Sequence, residues 1–432
     1  MDDWILVIRA IFGLCVLVLL CYGVSERRDR IRWSLVGYGI ALQIVMAVLV
    51  LRVPVFHDAT RSVSWFFSKL VGFSNGSAAF VFGRLASDET GAFGFAFTVL
   101  PTIIFFSALS AILYYLRILP FIVFGFAWLL NRSLKLSGPE SLAAAANVFI
   151  GQTEAPLVIK PYLKYMSRSE IMALMTGGMA TIAGGVLAVY INVLGGGSEA
   201  ESIAFGQHLL TASLLSAPAA MVVSKILVPQ VESLDASLAL PKDSVSGGLL
   251  DAATRGTSDG IKLALNVGGM LLAFTGLVYL LNWTVSSGLG EWSGLNSWVV
   301  LITDGRFEAF NFSFLVGVVS SPFAWLIGVA WEDCLIVGQL LGERLVLNEF
   351  ISYLNLAEFQ SSGAFSDPRS AVVATYALCG FANLTSVGIQ IGGISALEPS
   401  QRPNLLKFGL RSLLGGMVAC YMTAIIASTL IV

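Results

Sequence analysis

The residues with the most chemical potential lie at positions 151–156, where the sequence reads GQTEAP. This stretch places a carboxamide, a hydroxyl, a carboxylate and a proline inside otherwise apolar sequence. In hydrocarbon an unpaired polar group costs several kcal/mol, so such a break is tolerated only where it is buried in protein or lines a watery cavity. We therefore expect a binding site at membrane depth, with Glu154 as an acceptor.

A second carboxylate, Glu349, stands in the comparable sequence LNEF at positions 347–350. An ionisable residue inside a membrane segment is by default a functional-site hypothesis. Two carboxylates that accept hydrogen bonds suit a neutral, polyhydroxylated ligand better than an anion. The alternative for each is a structural role, in which the carboxylate reaches the interface or pairs with Lys160 or Arg344.

A later uncharged segment is interrupted by the polar and small residues FANLTS at positions 381–386. Asn383 and Ser386 are three residues apart and would share one face of a continuous helix. Ligand binding and a plain interhelical hydrogen bond explain Ser386 about equally well. Phe381 is either a stacking surface for a ring or a packing residue.

Asn147, Ile150 and Thr181 indicate a different ligand. The end of the first half-helix and an unwound span would both expose carbonyl oxygens, and together with an amide and a hydroxyl these suit a small hard cation such as sodium. The alternative is that the Thr181 hydroxyl bonds back to its own helix.

Composition fixes the class of protein. Of the 432 residues, 56% are hydrophobic and 12% are charged, and the mean hydropathy is +0.82, whereas soluble domains are about 25% charged. The long apolar runs exclude a transmembrane barrel. The net charge of −2 and the lack of a basic cluster give no sign of a nucleic-acid polymer as partner. The spacing of cysteines and histidines predicts no zinc site, and we expect no enzyme.

The elements that position these residues are helices, so the sequence predicts an all-α polytopic membrane protein. Apolar runs of about 20 residues can cross the bilayer. We expect about eight spans, at 5–24, 34–51, 91–116, 171–194, 202–224, 263–281, 370–397 and 405–432. The span 171–194 is expected to be broken at 176–178 and at 181–185, and the span 370–397 at 381–386. Re-entrant hairpins are expected at 138–166 and 333–360, interfacial helices at 52–89 and 118–130, a linker at 229–259 and an outer loop at 289–306.

The order of arm, hairpin, broken span and plain span occurs twice, with three crossings between the hairpins. An odd number of crossings inverts the second unit, as in the inverted repeats of secondary transporters. We expect a scaffold part at 1–116, a first transport repeat at 117–228, a linker with one scaffold span and an outer loop at 229–308, and a second repeat at 309–432.

The orientation follows from basic residues. Four arginines follow the first span, at positions 27, 28, 30 and 32, and predict a cytoplasmic loop there. The first span is expected to be retained, because it begins acidic rather than basic. Both termini are then expected outside, in a multi-pass protein of the cytoplasmic (inner) membrane.

The sequences ANVFIGQTEAPL (146–157), LNEF (347–350) and YALCGFAN (376–383) together resemble the concentrative nucleoside transporter family. The resemblance covers about residues 117–430, and the short tails fit prokaryotic members. It implies a homotrimer whose protomers move substrate by an elevator mechanism.

The resemblance also implies roles for individual residues. Gln152, Thr153 and Glu154 would bind the nucleobase, with Val186 and Phe381 packing near it. The ribose would be held by Glu349, Asn383 and Ser386. The sodium site would comprise Asn147, Ile150, Thr181 and Ile182, with Thr181 in place of the serine that the family leads us to expect.

The expected function is sodium-coupled import of nucleosides such as uridine. A neutral nucleoside gains nothing from the membrane potential, so accumulation requires a co-transported cation. The nearest alternative is proton coupling through Glu154 or Glu349. An intramembrane hydrolase that uses the paired carboxylates and a channel are further alternatives, although neither a nucleophile nor an open pore is indicated.

Overall fold

The computed structural model describes residues 3–86, 95–232 and 247–431, and these residues form helices without any strand. The all-α fold is therefore confirmed. The helices of the first half are α1 (Asp3–Val24), α2 (Trp33–Arg52), α3 (Pro54–Phe82), α4 (Leu100–Tyr115), α5 (Ile118–Leu134), α6 (Gly138–Phe149), α7 (Ala155–Val158), α8 (Lys160–Leu163), α9 (Arg168–Ala180), α10 (Gly184–Gly195) and α11 (Glu199–Leu227). Those of the second half are α12 (Leu249–Trp283), α13 (Glu291–Ser293), α14 (Leu295–Ile302), α15 (Phe312–Leu326), α16 (Cys334–Val346), α17 (Glu349–Ser361), α18 (Pro368–Leu378), α19 (Leu384–Leu397) and α20 (Arg402–Ser428).

Seven segments of the described residues are long and apolar enough to cross a membrane, a count that includes the two halves of the first broken span, α9 and α10, as one segment. The one expected span outside this count, 370–397, is divided into α18 and α19, and neither half is long enough to cross alone. The count of eight spans therefore stays a prediction.

Three expectations about helix continuity need correction. The span expected at 171–194 has one break, at 181–183, and the preceding residues 176–178 stay helical. The second half of the first hairpin is two short turns, α7 and α8, separated at Ile159, because Pro161 has no N–H with which to continue the hydrogen bonding of α7. Much of the expected loop 289–306 is helical, in α13 and α14.

The expected linker is also shorter than predicted. Helix α12 begins at Leu249, so residues 249–259 are helical. Residues 233–246 of that linker lie outside the described residues.

The helices pack in two groups. Helix α4 runs along α12, and α12 is largely exposed whereas α4 is mostly half-buried. Helices α1 and α2 pack instead against α11 and α20, which also contact α9 and α18. The first two spans thus contact the bundle that carries the hairpins, and their assignment to a scaffold part at 1–116 stays a prediction.

Individual residues determine where α17 and α19 begin and how closely the end of α6 approaches the break between α9 and α10. Asn348 and Asn383 are N-cap residues whose side-chain oxygens accept the N–H of Ile351 at 3.0 Å and of Ser386 at 2.7 Å, which starts α17 and α19. Gly151, after α6, has φ +114°, and a Cβ at that position would lie 2.6 Å from the Cβ of Ala183. Glycine at position 151 therefore lets the tip of the first hairpin reach the break between α9 and α10.

Candidate functional site

A cavity of about 650 Å³ lies where the two hairpin tips meet the two broken spans. Its other wall comes from α4 and α12. All eight side chains that the sequence predicts for the substrate line it: Gln152, Thr153, Glu154, Val186, Glu349, Phe381, Asn383 and Ser386. The structure therefore brings together residues that are separated by more than 200 positions in the sequence.

Glu349 is the acceptor at the second hairpin. It lies in the first turn of α17, where the helix dipole favours a negative charge. Its two oxygens accept hydrogen bonds from Asn383 Nδ2 at 2.6 Å and from the Tyr190 hydroxyl at 3.2 Å. Because the Asn383 oxygen is occupied as the cap of α19, its amide nitrogen must face Glu349.

The first hairpin contributes a carboxamide and a carboxylate. Gln152 donates from Nε2 to Ser386 Oγ at 3.2 Å, so the tip of the first hairpin touches the second broken span. Thr153 donates to Glu154 at 2.6 Å. The side chains of Thr153 and Glu154 are exposed, and both line the cavity.

The purely structural pairings of the two glutamates are wrong. Arg344 donates to the carbonyl of Ala377 and to Cys420 Sγ at 3.3 Å, rather than to Glu349. Among the described residues, neither Glu349 nor Glu154 has an ion-pair partner within 4.0 Å. The capacity of both carboxylates to accept further hydrogen bonds remains open to the cavity.

The residues that the resemblance assigns to sodium lie beside this cavity. Asn147 and Thr181 both border Gly177: the Thr181 hydroxyl donates to the Gly177 carbonyl at 2.9 Å, and Asn147 Nδ2 lies 3.0 Å from where a Cβ of Gly177 would stand. The bond from Thr181 back to its own helix is thus present, and it leaves the hydroxyl oxygen able to accept. Ile182 is buried in the break, and Ile150 lines the cavity.

Sequence reasoning missed two residues of this site. Tyr190 lines the cavity and bonds Glu349, but it lies in an apolar run that gives no signal. Gln390 is buried and donates to Gln152 at 2.9 Å. A signal existed for Gln390, because a carboxamide one helical turn after Ser386 in an uncharged span is itself unusual.

Comparisons with known proteins identify relatives of this chain. The chain matches the families described as "Na+ dependent nucleoside transporter C-terminus" over residues 208–428, "Na+ dependent nucleoside transporter N-terminus" over 12–85, and "Nucleoside recognition" over 96–197. An uncharacterized transporter of Haemophilus influenzae is 36% identical over 98% of either chain. The solute carrier family 28 member 3 of Eptatretus stoutii is 35% identical over 97% of this chain, which spans 60% of that relative's length.

A solved structure is similar as well. CNTnw in an inward-facing, substrate-bound state superposes with a TM-score of 0.87 at 33% identity, over 98% of each chain.

Proposed function

The chain belongs to the family of Na+-dependent, concentrative nucleoside transporters, and from this premise we propose that it is a symporter that imports nucleosides together with sodium. It is an integral membrane protein, and its relatives are transporters rather than enzymes. The observation that carries the proposal is the meeting of two acceptor carboxylates, one from each hairpin, in one cavity.

The cavity suits a molecule of nucleoside size, since pockets for small ligands occupy about 300–1,000 Å³. Ribose hydroxyls would donate to Glu349, whose oxygens are held in place by Asn383 and Tyr190. Ser386 stands beside Asn383 and would complete the ribose contacts. A carboxylate fixed by two donors recognises a hydroxyl through a charge-assisted hydrogen bond, which is about twice as strong as a neutral one.

The nucleobase would lie toward the first hairpin. Gln152 and Glu154 offer a donor and an acceptor on the cavity side, and Thr153 holds the carboxylate of Glu154. Val186 and Phe381 line the same cavity and would pack on the faces of the base.

A sodium ion would bind behind the nucleobase. Asn147 is fully buried, its Nδ2 donates to the carbonyl of Leu174 at 3.3 Å, and its Oδ1 has no hydrogen-bond partner. A buried, unpartnered oxygen is costly unless something binds it, and a hard cation is held by oxygen ligands. The carbonyls of Ile150 and Ile182 and the hydroxyl of Thr181 would supply the other ligands.

The wider mechanism is part of the same proposal. We assign α4 and α12 to a static part and the two hairpins with their broken spans to a part that moves as an elevator. The exposed apolar face of α12, which includes Leu265 and Leu272, would be covered in a homotrimer. The protein would lie in the cytoplasmic membrane with both termini outside.

Uptake by reconstituted vesicles tests the coupling. Radiolabelled uridine is offered at fixed pH with an inward sodium gradient, and then with sodium replaced by choline. We expect accumulation of intact uridine with sodium only. Undiminished uptake in choline would reject sodium coupling, and conversion of uridine in proportion to uptake would reject transport without chemistry.

A further inference from the structure

Gln390 lies behind the cavity and touches the residue proposed to read the base. It stands on α19, one helical turn after Ser386, and only 2% of its surface is exposed. Its Nε2 donates to Gln152 Oε1 at 2.9 Å and to the carbonyl of Met175, on α9, at 3.2 Å. Gln390 therefore connects the first hairpin tip, the first broken span and the second broken span.

The Met175 carbonyl fixes the direction of this chain of hydrogen bonds. A backbone carbonyl can only accept, so the NH2 group of Gln390 must face it. The opposite orientation would set the Gln390 oxygen against the carbonyl oxygen of Met175, whichever way Gln152 is turned. The observed orientation avoids that repulsion, and it leaves Gln390 Oε1 buried and without a hydrogen-bond partner.

The orientation of Gln152 follows from that of Gln390. With its oxygen held by Gln390, Gln152 turns its NH2 group toward Ser386 Oγ and the cavity. We propose that Gln390 is a positioning residue that makes Gln152 a hydrogen-bond donor to the nucleobase, and so sets which bases the transporter prefers. This inference rests on the proposed function.

The surroundings leave Gln390 little freedom. A Cβ at Gly178 would lie 2.5 Å from Gln390 Nε2 and 2.9 Å from Gln152 Cβ. Gly178 is thus what allows α19 and the hairpin tip to approach α9. An alanine at position 178 would displace Gln390 and Gln152 together.

The test compares two pyrimidine nucleosides that differ at the edge of the base. Uridine carries a carbonyl acceptor at C4, whereas cytidine carries an amino donor there, so a donating Gln152 favours uridine. In Gln390→Met the Gln152 carboxamide can present either end. One hydrogen bond is worth about 0.5–1.5 kcal/mol, so we expect the ratio of the cytidine Kd to the uridine Kd to fall about fivefold.

The matched control is Gln43→Met. Gln43 is equally buried and donates to the Leu215 carbonyl and to Thr423, away from the cavity. Its replacement removes a buried carboxamide and should leave the cytidine-to-uridine ratio unchanged. The ratio of the 2′-deoxyuridine Kd to the uridine Kd, which reports on ribose binding, should stay constant in both variants.

The Kd values are measured by titration calorimetry in detergent at saturating sodium, on wild-type protein first. Wild-type protein that binds no nucleoside would overturn the proposed function and this inference with it. Wild-type binding with an unchanged cytidine-to-uridine ratio in Gln390→Met would overturn this inference alone. Gln390→Leu removes the same donor with a different apolar side chain and gives the same test by a second route, and a folded sample of either variant decides the question.

Discussion

At the scale of single residues, Glu349 carries the largest share of the proposed recognition. Two donors hold its oxygens, and the Asn383 amide that supplies one of them is itself fixed by the start of α19. The carboxylate is thereby positioned before a ligand arrives, which lowers the ordering cost of binding.

Replacement of Glu349 by Gln should weaken nucleoside binding strongly. The amide would bring an NH2 group toward the Asn383 and Tyr190 donors and would lose the charge that strengthens each ribose contact. Hydrogen bonds to charged groups are worth about 1.5–3 kcal/mol, so we expect a Kd about 10- to 150-fold higher by calorimetry. Glu358→Gln, on the exposed face of the same helix, is the control. Equal Kd values for wild type and Glu349→Gln would reject the ribose assignment.

Some residues of the site could be predicted from the sequence and others could not, and the difference has a physical cause. Glu154, Glu349 and Asn383 were predictable because a polar group in apolar sequence needs a reason. Tyr190 was not, because an aromatic ring in a membrane helix is ordinary and only the fold brings its hydroxyl to Glu349. The wrong pairing of Glu349 with Arg344 has a similar cause, since spacing alone could not show that Arg344 turns to Ala377.

At the scale of elements, the break at 181–183 is what makes a cation site possible. It ends α9 with Thr181 in an extended conformation and places the next helix, α10, against the end of α6. A Cβ at Gly184 would lie 3.2 Å from the carbonyl of Phe149. The two chain breaks therefore lie side by side.

Variants of Thr181 test this site. Thr181→Val keeps the shape and removes the hydroxyl, and we expect the sodium concentration that half-saturates uridine uptake to rise about tenfold, the effect of about 1.4 kcal/mol. Thr181→Ser keeps the hydroxyl and should behave as wild type. If the two variants had the same sodium dependence, the hydroxyl would be structural only, as its bond to Gly177 allows.

The sequence predicted where the elements break better than how they continue. Buried helices keep residues 176–178 helical, since the glycines there admit Asn147 and Gln390 rather than unwind the chain. The sequence alone could not show that residues 176–178 stay helical, because glycine both weakens a helix and permits close packing.

At the scale of the whole molecule, a polar residue at the base of each hairpin forms a hydrogen bond to the start of the broken span that follows it. Ser137, before α6, donates to Glu170 of α9, and Ser169 donates to the Val228 carbonyl at 2.7 Å. In the second half Asp333, before α16, accepts the N–H groups of Ser366 and Asp367. Arg369 then donates to the Ser428 carbonyl at 2.8 Å. These matching ties support the proposed repeats.

A cluster of charges joins the first span to this bundle. Glu26, after α1, pairs with Arg168 at 2.6 Å, with Lys407 at 2.8 Å and with Arg411 at 3.2 Å. Partial burial opposes ionisation of Glu26, but the hydrogen bonds from Lys407 and Arg168 outweigh it and lower the pKa of Glu26.

The lowered pKa gives a signed prediction about stability. A carboxylate with a depressed folded-state pKa stabilises the protein above its unfolded pKa, near 4.5 for glutamate, and loses that contribution as the pH falls through the folded value. As the pH falls from about 6 to about 3.5 in detergent, the Tm of the wild-type protein should therefore decrease more than the Tm of Glu26→Gln. Parallel loss of Tm in both proteins would show that the cluster does not stabilise the fold.

The most direct test of sodium-coupled transport is accumulation of uridine driven by voltage alone. Vesicles hold equal sodium inside and outside, and a potassium diffusion potential of about −100 mV is imposed. One charge moved through 100 mV is worth about 2.3 kcal/mol, so one sodium ion per nucleoside predicts up to about 40-fold accumulation. The same vesicles with choline in place of sodium should show none. Uridine that only equilibrates across the membrane in the presence of both sodium and voltage would contradict the account.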